Sequence, residues 1–117
     1  MAEIDDLSGE VVHCAVRIHR DLGPGLFESV YEMVLAGSLA RKGLKVDRQR
    51  PIDIMFEGVR YDAAFRIDLV VEDALLVEVK SAERLAPVHG KQLLTYLRLT
   101  RQPVGLLLNF SGATMKE

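Results

Sequence analysis

Three charged side chains interrupt two apolar stretches of the chain, and their types suit the hydrolysis of a phosphodiester bond. Glu78 and Lys80 stand two residues apart in the run Leu76-Val77-Glu78-Val79-Lys80, and Asp68 lies ten residues before Glu78 in another apolar stretch. Residues two apart in a strand project from the same face, so Glu78 and Lys80 are predicted to share one. A buried carboxylate requires a partner, a metal ion or solvent. A solvated strand face is the alternative explanation of the Glu78–Lys80 pair.

Whether Asp68 can reach Glu78 depends on the loop between their strands. Residues 68 and 78 of a hairpin share a face only when that loop has an odd number of residues. A two-residue Glu72-Asp73 turn would separate them, so a shared site predicts a three- or five-residue loop, or a bulge. A cation such as Mg²⁺ would then relieve the repulsion between the two carboxylates and retain water molecules for the reaction. Lys80 would orient the attacking water or offset the charge of the transition state.

Two predicted helices in the first part of the chain are among the elements that must position these residues. Apolar spacing predicts one helix that is capped by Ser8 and ends at Leu22, and a second helix over residues 26–42 that is closed by Gly43. Gly23-Pro24-Gly25 separates the two helices, and no Lys-Ser/Thr follows as a phosphate loop would need. The buried stripe of the second helix is predicted to contain Leu26, Val30, Met33 and Gly37.

Extended segments dominate the second half of the chain. A hairpin with a two-residue Glu57-Gly58 turn is expected to place its alternating apolar residues on one buried face, namely Ile52, Ile54, Phe56, Val59, Tyr61 and Phe65. Strands are predicted over residues 65–71 and 74–79, a helix from Pro87 to about Thr100, and a strand over residues 104–109. The order α-α-β-β-β-α-β predicts an α/β fold with a mixed sheet.

Composition narrows the class of protein. The 117 residues are 49% hydrophobic and carry a formal net charge of −2, which argues against a strongly cationic nucleic-acid binder but leaves room for a local binding patch. We expect a single domain over residues 1–117, no membrane segment, no targeting segment and a cytoplasmic location. The single cysteine, Cys14, falls in an apolar helical pattern and is expected to be a buried free thiol.

Several segments together resemble a known family. Asp68, then Glu78-Val79-Lys80, then Gln92 resembles the PD-(D/E)XK nuclease superfamily, although no proline precedes Asp68. Residues 25–31, Gly-Leu-Phe-Glu-Ser-Val-Tyr, are similar to the signature of the GxxExxY protein family within it. The likeness also covers residues 22–26, 48–49, 66–69, 92–97 and 105–110. It implies a restriction-endonuclease-like α-β-β-β-α-β core, with a mixed sheet flanked by helices, plus an extra N-terminal helix.

The resemblance also implies roles. Its catalytic set is one lysine, three acids and one helix glutamine: Lys80, Asp68, Glu78, Glu28 and Gln92. Asp68 and Glu78 would bind Mg²⁺, or Mn²⁺, with the main-chain carbonyl of Val79 as a further ligand. Glu28 would approach the metal from the first core helix. Gln92 would support the site, with Tyr96 one turn further on the same side of the helix. Tyr31 is expected to pack between helix and sheet.

The interpretation is a metal-dependent nuclease whose expected partner is nucleic acid, with DNA favoured over RNA and the choice between them left open. Arg48, Arg50 and His89 are the candidate nucleic-acid contacts, with a plain helix-start position as the alternative for His89. Charge reversal at Arg48 and Arg50 is expected to flatten the salt dependence of binding. The alternatives are a non-catalytic nucleic-acid-binding or protein-assembly module and a small-ligand phosphoesterase. We also expect a homodimer, because one narrow site needs a second copy to span duplex DNA.

Overall fold

A computed structural model describes residues 3–82 and 84–111 of the chain. Its elements are α1 (Ile4–Leu22), α2 (Glu28–Arg41), β1 (Val46–Phe56), β2 (Val59–Val71), β3 (Leu75–Lys80), α3 (Pro87–Thr100) and β4 (Val104–Asn109). The predicted order of helices and strands is therefore confirmed.

The four strands form one mixed sheet in the order β1-β2-β3-β4. The first three strands pair antiparallel, whereas β4 runs parallel to β3, with α3 as the crossover that a parallel pair requires. Side chains of α1 and α2 form one apolar cluster with the sheet residues Leu69, Val77 and Val79. Leu93 of α3 forms the other with Leu76. Helices thus cover both faces of the sheet, as predicted for an α/β fold.

The loop between β2 and β3 has the predicted odd length. Val71 pairs with Leu75, so three residues, Glu72-Asp73-Ala74, connect the strands. Glu72 and Asp73 both adopt left-handed backbone conformations, with φ 54°. Continued by one step beyond the Leu69–Val77 pair, this register sets Asp68 opposite Glu78.

The first helix begins earlier than predicted. It starts at Ile4, and Ser8 lies inside it, where the hydroxyl donates a hydrogen bond to the Ile4 carbonyl oxygen at 2.9 Å. The expected Ser8 cap is therefore wrong: the apolar pattern extends one turn upstream, and Ile4 packs against the core. Cys14 is buried, as predicted.

The second helix packs on a different face from the predicted one. Met33 is 53% exposed and Leu26 is also exposed, whereas the buried residues are Tyr31, Glu32, Leu35, Ala36 and Leu39. Tyr31 determines which face of α2 is buried, because its ring stacks on Phe110 with centroids 4.4 Å apart. Gly43 follows the helix with φ 86°, and this left-handed residue is as predicted.

The β1–β2 hairpin extends beyond the core. Phe56 pairs with Val59, which confirms the two-residue turn. The prediction that the alternating apolar residues of the hairpin share one buried face is wrong, however. Of these residues, only Ile52 and Phe65 pack against the apolar cluster under α3. Phe56, Val59 and Tyr61 are exposed. We call residues 53–64 the hairpin arm.

Helix α3 approaches the sheet closely at Gly105 of β4. A Cβ at Gly105 would lie 2.9 Å from Leu93 Cδ1 and 3.2 Å from Leu97 Cδ2, so the absent side chain makes room for these two leucines. No helix in the described ranges has the length and apolar character needed to cross a membrane.

Candidate active site

Asp68 and Glu78 meet across two neighbouring strands. Asp68 Oδ2 accepts a hydrogen bond from the Val79 amide at 2.8 Å, and Glu78 Oε1 accepts one from the Asp68 amide at 3.3 Å. The regular β2–β3 pairing ends at Leu69 and Val77, so side-chain oxygens take main-chain donors just beyond it. The structure therefore brings together the two acids that the loop-length argument placed on one face.

Glu78 is a buried acid, 6% exposed. Burial and the negative charge of Asp68 raise its pKa from 4.5 to about 7, against a smaller lowering by the positive charge of Lys80. The solvated-face alternative is therefore wrong for Glu78. A carboxyl group with such a pKa gains or loses its charge readily near neutral pH, and a nearby cation would favour the charged form.

Lys80 ends strand β3 beside this pair. Its side chain is half-buried and forms no ion pair with any residue in the described ranges. Its carbonyl oxygen accepts a hydrogen bond from the Phe110 amide at 2.8 Å, which fixes the end of the strand. A fixed backbone with an uncommitted ammonium group leaves this cation available to a ligand.

Gln92 and Tyr96 of α3 form a pair near the two acids. Gln92 Nε2 donates to the Tyr96 hydroxyl at 2.8 Å, and the Tyr96 ring stacks on Phe65 with centroids 4.2 Å apart. The pKa of Tyr96 is raised by burial and by the negative charges of Glu78 and Asp68. The structure thus brings Tyr96 within electrostatic reach of the acids. No hydrogen bond among the described residues joins Gln92 to Asp68 or Glu78, so its supporting role stays a prediction.

Glu28 lies at the same end of β3 but contacts a different residue. It is the first residue of α2, and Oε2 accepts a hydrogen bond from the Ser81 amide at 3.0 Å. Ser81 directly follows Lys80. The side chain is exposed, and no hydrogen bond joins it to Asp68 or Glu78 in the described residues. The structure thus places Glu28 beside the site rather than within the carboxylate pair.

A second buried acid, Glu32, was not among the predicted site residues. It is 5% exposed, and Arg48 Nη2 lies 2.9 Å from its Oε2. Gln49 Nε2 donates to Glu32 Oε1 at 2.6 Å and to Asp68 Oδ1 at 3.1 Å, so one amide group links the buried acid to the site. Gln49 has a left-handed backbone, with φ 51°. The sequence offers no signal for this role of Glu32, because the burial of the α2 face that carries Tyr31 and Glu32 is seen only in the structure.

The candidate nucleic-acid contacts are already engaged within the chain. Arg48 pairs with Glu32, while Arg50 bonds Asp47 and also Asp73, the latter at 2.6 Å. His89 Nδ1 accepts a hydrogen bond from the Ala86 amide at 3.2 Å, as suits the first turn of α3. These residues therefore have structural roles, and their contact with nucleic acid stays a prediction.

Tyr31 has the packing role expected of it. Its ring is fully buried, and its hydroxyl donates to the Gly23 carbonyl oxygen at 2.5 Å. The Tyr31 hydroxyl oxygen also accepts a hydrogen bond from the Leu26 amide at 3.2 Å. Both partners belong to the connection between α1 and α2. Tyr31 thus fixes the segment that leads into Glu28.

Comparison with known families decides the relationship that the geometry suggests. A family model described as the PD-(D/E)XK nuclease superfamily matches residues 5–117. The chain belongs to the PD-(D/E)XK nuclease superfamily. No curated protein and no solved structure significantly matches it. The mixed sheet with three helices fits this PD-(D/E)XK assignment, and the narrower GxxExxY relationship stays a prediction.

The donor set of this PD-(D/E)XK protein suits a divalent cation shared with a substrate. Members of the superfamily generally use divalent metal ions. Within residues 3–82 and 84–111, no three His, Cys, Asp or Glu side chains form a group that could hold a metal ion by themselves. Mg²⁺ is usually bound by one or two carboxylates together with water and substrate phosphates. The carboxylates of Asp68 and Glu78 meet that smaller requirement.

Proposed function

We propose that this protein is a metal-dependent nuclease that hydrolyses phosphodiester bonds in nucleic acid, with DNA as the expected substrate. One observation carries the proposal: in a chain of the nuclease superfamily, the carboxylates of Asp68 and Glu78 meet across adjacent strands, with Lys80 beside them. Their mutual repulsion favours a cation between or near them. The experiments below test metal dependence and cleavage separately.

In this proposal, Asp68, Glu78 and the main-chain carbonyl of Val79 hold Mg²⁺ or Mn²⁺. The bound cation would polarise the phosphate and lower the pKa of a water molecule. Lys80 contributes a positive charge that orients water or offsets the charge of the transition state. Asp68 keeps its orientation through the Val79 amide, which already donates to its carboxylate.

Two further residues have supporting roles in the proposal. Gln92 is a positioning residue, since its amide group holds the Tyr96 hydroxyl at 2.8 Å near the acids. Glu28 anchors the start of α2 to the end of β3 through the Ser81 amide. It is the acid that α2 is expected to contribute beside Asp68 and Glu78.

The decisive experiment is a cleavage assay on single-stranded, duplex and branched DNA, and on RNA, with Mg²⁺, Mn²⁺ or EDTA. Asp68→Ala and Lys80→Ala should each reduce the rate by on the order of 10²-fold or more, as the loss of a charge-stabilising group does. The matched controls are Asp62→Ala and Lys45→Ala. Asp62 lies on the hairpin arm, and Lys45 pairs with Asp73 in the loop at the opposite end of β3.

A different outcome would support the alternative function. DNA or protein association that survives Asp68→Ala and Lys80→Ala, with no cleavage under any metal condition, would identify a binding or assembly module. Cleavage confined to small nucleotides would identify a phosphoesterase. Equal cleavage by the wild type and both site variants would refute the proposed site.

A homodimer belongs to the same proposal. A single narrow site acts on one strand, so a second copy related by twofold symmetry would be needed to span duplex DNA. Light scattering at the concentration of the cleavage assay tests this expectation, and a monomer mass would contradict it.

A further inference from the structure

Phe27 presents its ring to solvent beside the proposed active site. It is 82% exposed, more than any other large apolar residue in the described ranges. Burying a phenylalanine side chain is strongly favourable, so an isolated chain gains nothing for its stability by displaying one. An exposed aromatic ring next to a functional site is a candidate contact for a ligand.

The backbone that carries this ring is fixed on both sides. The Phe27 carbonyl oxygen accepts hydrogen bonds from the Val30 amide at 3.0 Å and the Tyr31 amide at 3.4 Å. On the preceding side, the Leu26 amide donates to the buried Tyr31 hydroxyl. The ring therefore projects from an anchored segment, which limits the entropy that a ligand must overcome on binding.

The position of Phe27 relates it to the reacting groups. Its neighbour Glu28 is bonded to the Ser81 amide, and Ser81 lies three residues after Glu78. At a rise of about 3.3 Å per strand residue, that separation is roughly 10 Å. The segment that carries Phe27 and Glu28 therefore lies at the end of β3 that carries Glu78 and Lys80, where a bound nucleic-acid strand could contact it.

An open cleft lies beside the ring. Its volume is about 440 Å³, and it is lined by Leu26, Phe27, Glu28, Ser29 and Ser81. This volume falls within the range of pockets that hold small organic ligands, about 300–1,000 Å³. An apolar wall with a few hydroxyl and carboxylate groups suits a nucleobase, which has apolar faces and polar edges.

We propose that Phe27 is a stacking platform for an unpaired nucleobase, and that the preferred substrate is therefore single-stranded or locally unpaired nucleic acid. The assignment of nucleic acid as the ligand rests on the proposed function. Aromatic side chains stack on the faces of bases in single strands, and they do so with little sequence preference. In a continuous duplex those faces are covered by neighbouring base pairs.

The exposed aromatic residues of the hairpin arm do not fit the same role. Phe56 is 62% exposed, but it lies at the β1–β2 turn, away from the end of β3. Phe56 is therefore a matched control for Phe27.

The test measures binding of a short single strand that contains the fluorescent base 2-aminopurine, in EDTA so that cleavage does not interfere. Phe27→Ala should weaken binding roughly 5- to 150-fold, the equivalent of about 1–3 kcal/mol per stacked base. It should also remove the fluorescence quenching that stacking causes. Phe27→Trp and Phe56→Ala should behave as the wild type, and duplex binding should be the same for all four proteins.

The outcomes separate this inference from the proposed function. Weakened single-strand binding in Phe27→Ala supports the stacking role even when no protein cleaves DNA, a result that would refute only the nuclease. Unchanged binding and quenching in Phe27→Ala would overturn the inference even when Mg²⁺-dependent cleavage is observed. A Phe27→Ala variant that loses self-association by light scattering but binds the single strand normally would also overturn it, because the ring would then serve a protein contact.

Discussion

Asp68 and Glu78 each bind the other's strand: the Asp68 carboxylate accepts from the Val79 amide, and the Glu78 carboxylate accepts from the Asp68 amide. The two acids are thus acceptors that complete the sheet where its regular pairing ends. Each carboxylate oxygen can accept more than one bond, so these contacts orient the acids without using up their capacity to bind a cation. The same two hydrogen bonds also keep the carboxylates of Asp68 and Glu78 close together although their charges repel each other.

The first prediction concerns the pH dependence of stability without metal. The pKa of Glu78 is raised from 4.5 to about 7, so between these values the folded state binds a proton that the unfolded state releases. This contribution to stability is fully present below pH 4.5 and is lost as the pH rises through 7. It amounts to about 3 kcal/mol. Urea unfolding in EDTA at pH 4.5 and pH 8 measures it.

The control for that prediction is Glu78→Gln, which cannot titrate. Its free energy of unfolding should fall less than that of the wild type over the same pH interval, and the difference between the two profiles isolates Glu78. Parallel profiles would show that the acid is not held near Asp68 in solution. Added Mg²⁺ should raise the wild-type stability at pH 8 and have little effect on Glu78→Gln.

The second prediction concerns the amide link between the buried acid and the site. Gln49 donates to both Glu32 and Asp68, so Gln49→Ala should leave Asp68 less well oriented. Loss of such an outer contact weakens metal binding by about 10–100-fold. Mn²⁺ binding by calorimetry or electron paramagnetic resonance, without nucleic acid, measures the change. Gln102→Ala, two residues after the end of α3, should bind Mn²⁺ as the wild type does.

The third prediction distinguishes a structural role of Arg48 from a nucleic-acid contact. Arg48→Ala leaves the buried Glu32 carboxylate without its cation, which should lower the free energy of unfolding by about 1–3 kcal/mol. Arg60→Ala, which breaks only exposed ion pairs, should have a much smaller effect. Denaturant unfolding compares the two variants. An unchanged stability of Arg48→Ala, with a reduced salt dependence of DNA binding, would instead favour the phosphate contact.

The fourth prediction concerns the anchor of the segment before α2. Tyr31→Phe keeps the ring that stacks on Phe110 but removes the hydroxyl that joins Gly23 and Leu26. The loss should cost about 0.5–1.5 kcal/mol of stability, the net value of an ordinary hydrogen bond, because the partners of the hydroxyl lie in a mostly exposed connection that water can reach. Tyr61→Phe on the exposed hairpin arm is the matched control, and thermal unfolding of both variants provides the comparison.

Sequence periodicity predicted most of the framework because the decisive residues lie in strongly patterned segments. The acids at 68 and 78 interrupt apolar strands, and the argument from loop parity needed only the even period of a strand. The helix from Pro87 to Thr100 and the strand from Val104 to Asn109 have the predicted bounds, since proline marks both starts.

Tertiary contacts determined what periodicity could not. Glu32 looks like a surface residue until Arg48 and Gln49, distant in sequence, are seen to bind it. The buried stripe of α2 follows from the stacking of Tyr31 on Phe110, a contact between elements far apart in the chain. Alternation also cannot reveal where a strand leaves the core, so Phe56 was expected to be buried.

The three-residue loop Glu72-Asp73-Ala74 has a consequence for how this chain can vary. Surface loops are usually the places where insertions and deletions accumulate without harm. Here a gain or loss of one residue would rotate the Asp68 side chain to the opposite sheet face from Glu78, while leaving every residue of the carboxylate pair intact in the sequence. Homologous chains with the full set of motif residues but an even-length loop would therefore need a compensating bulge to keep the two carboxylates on one face.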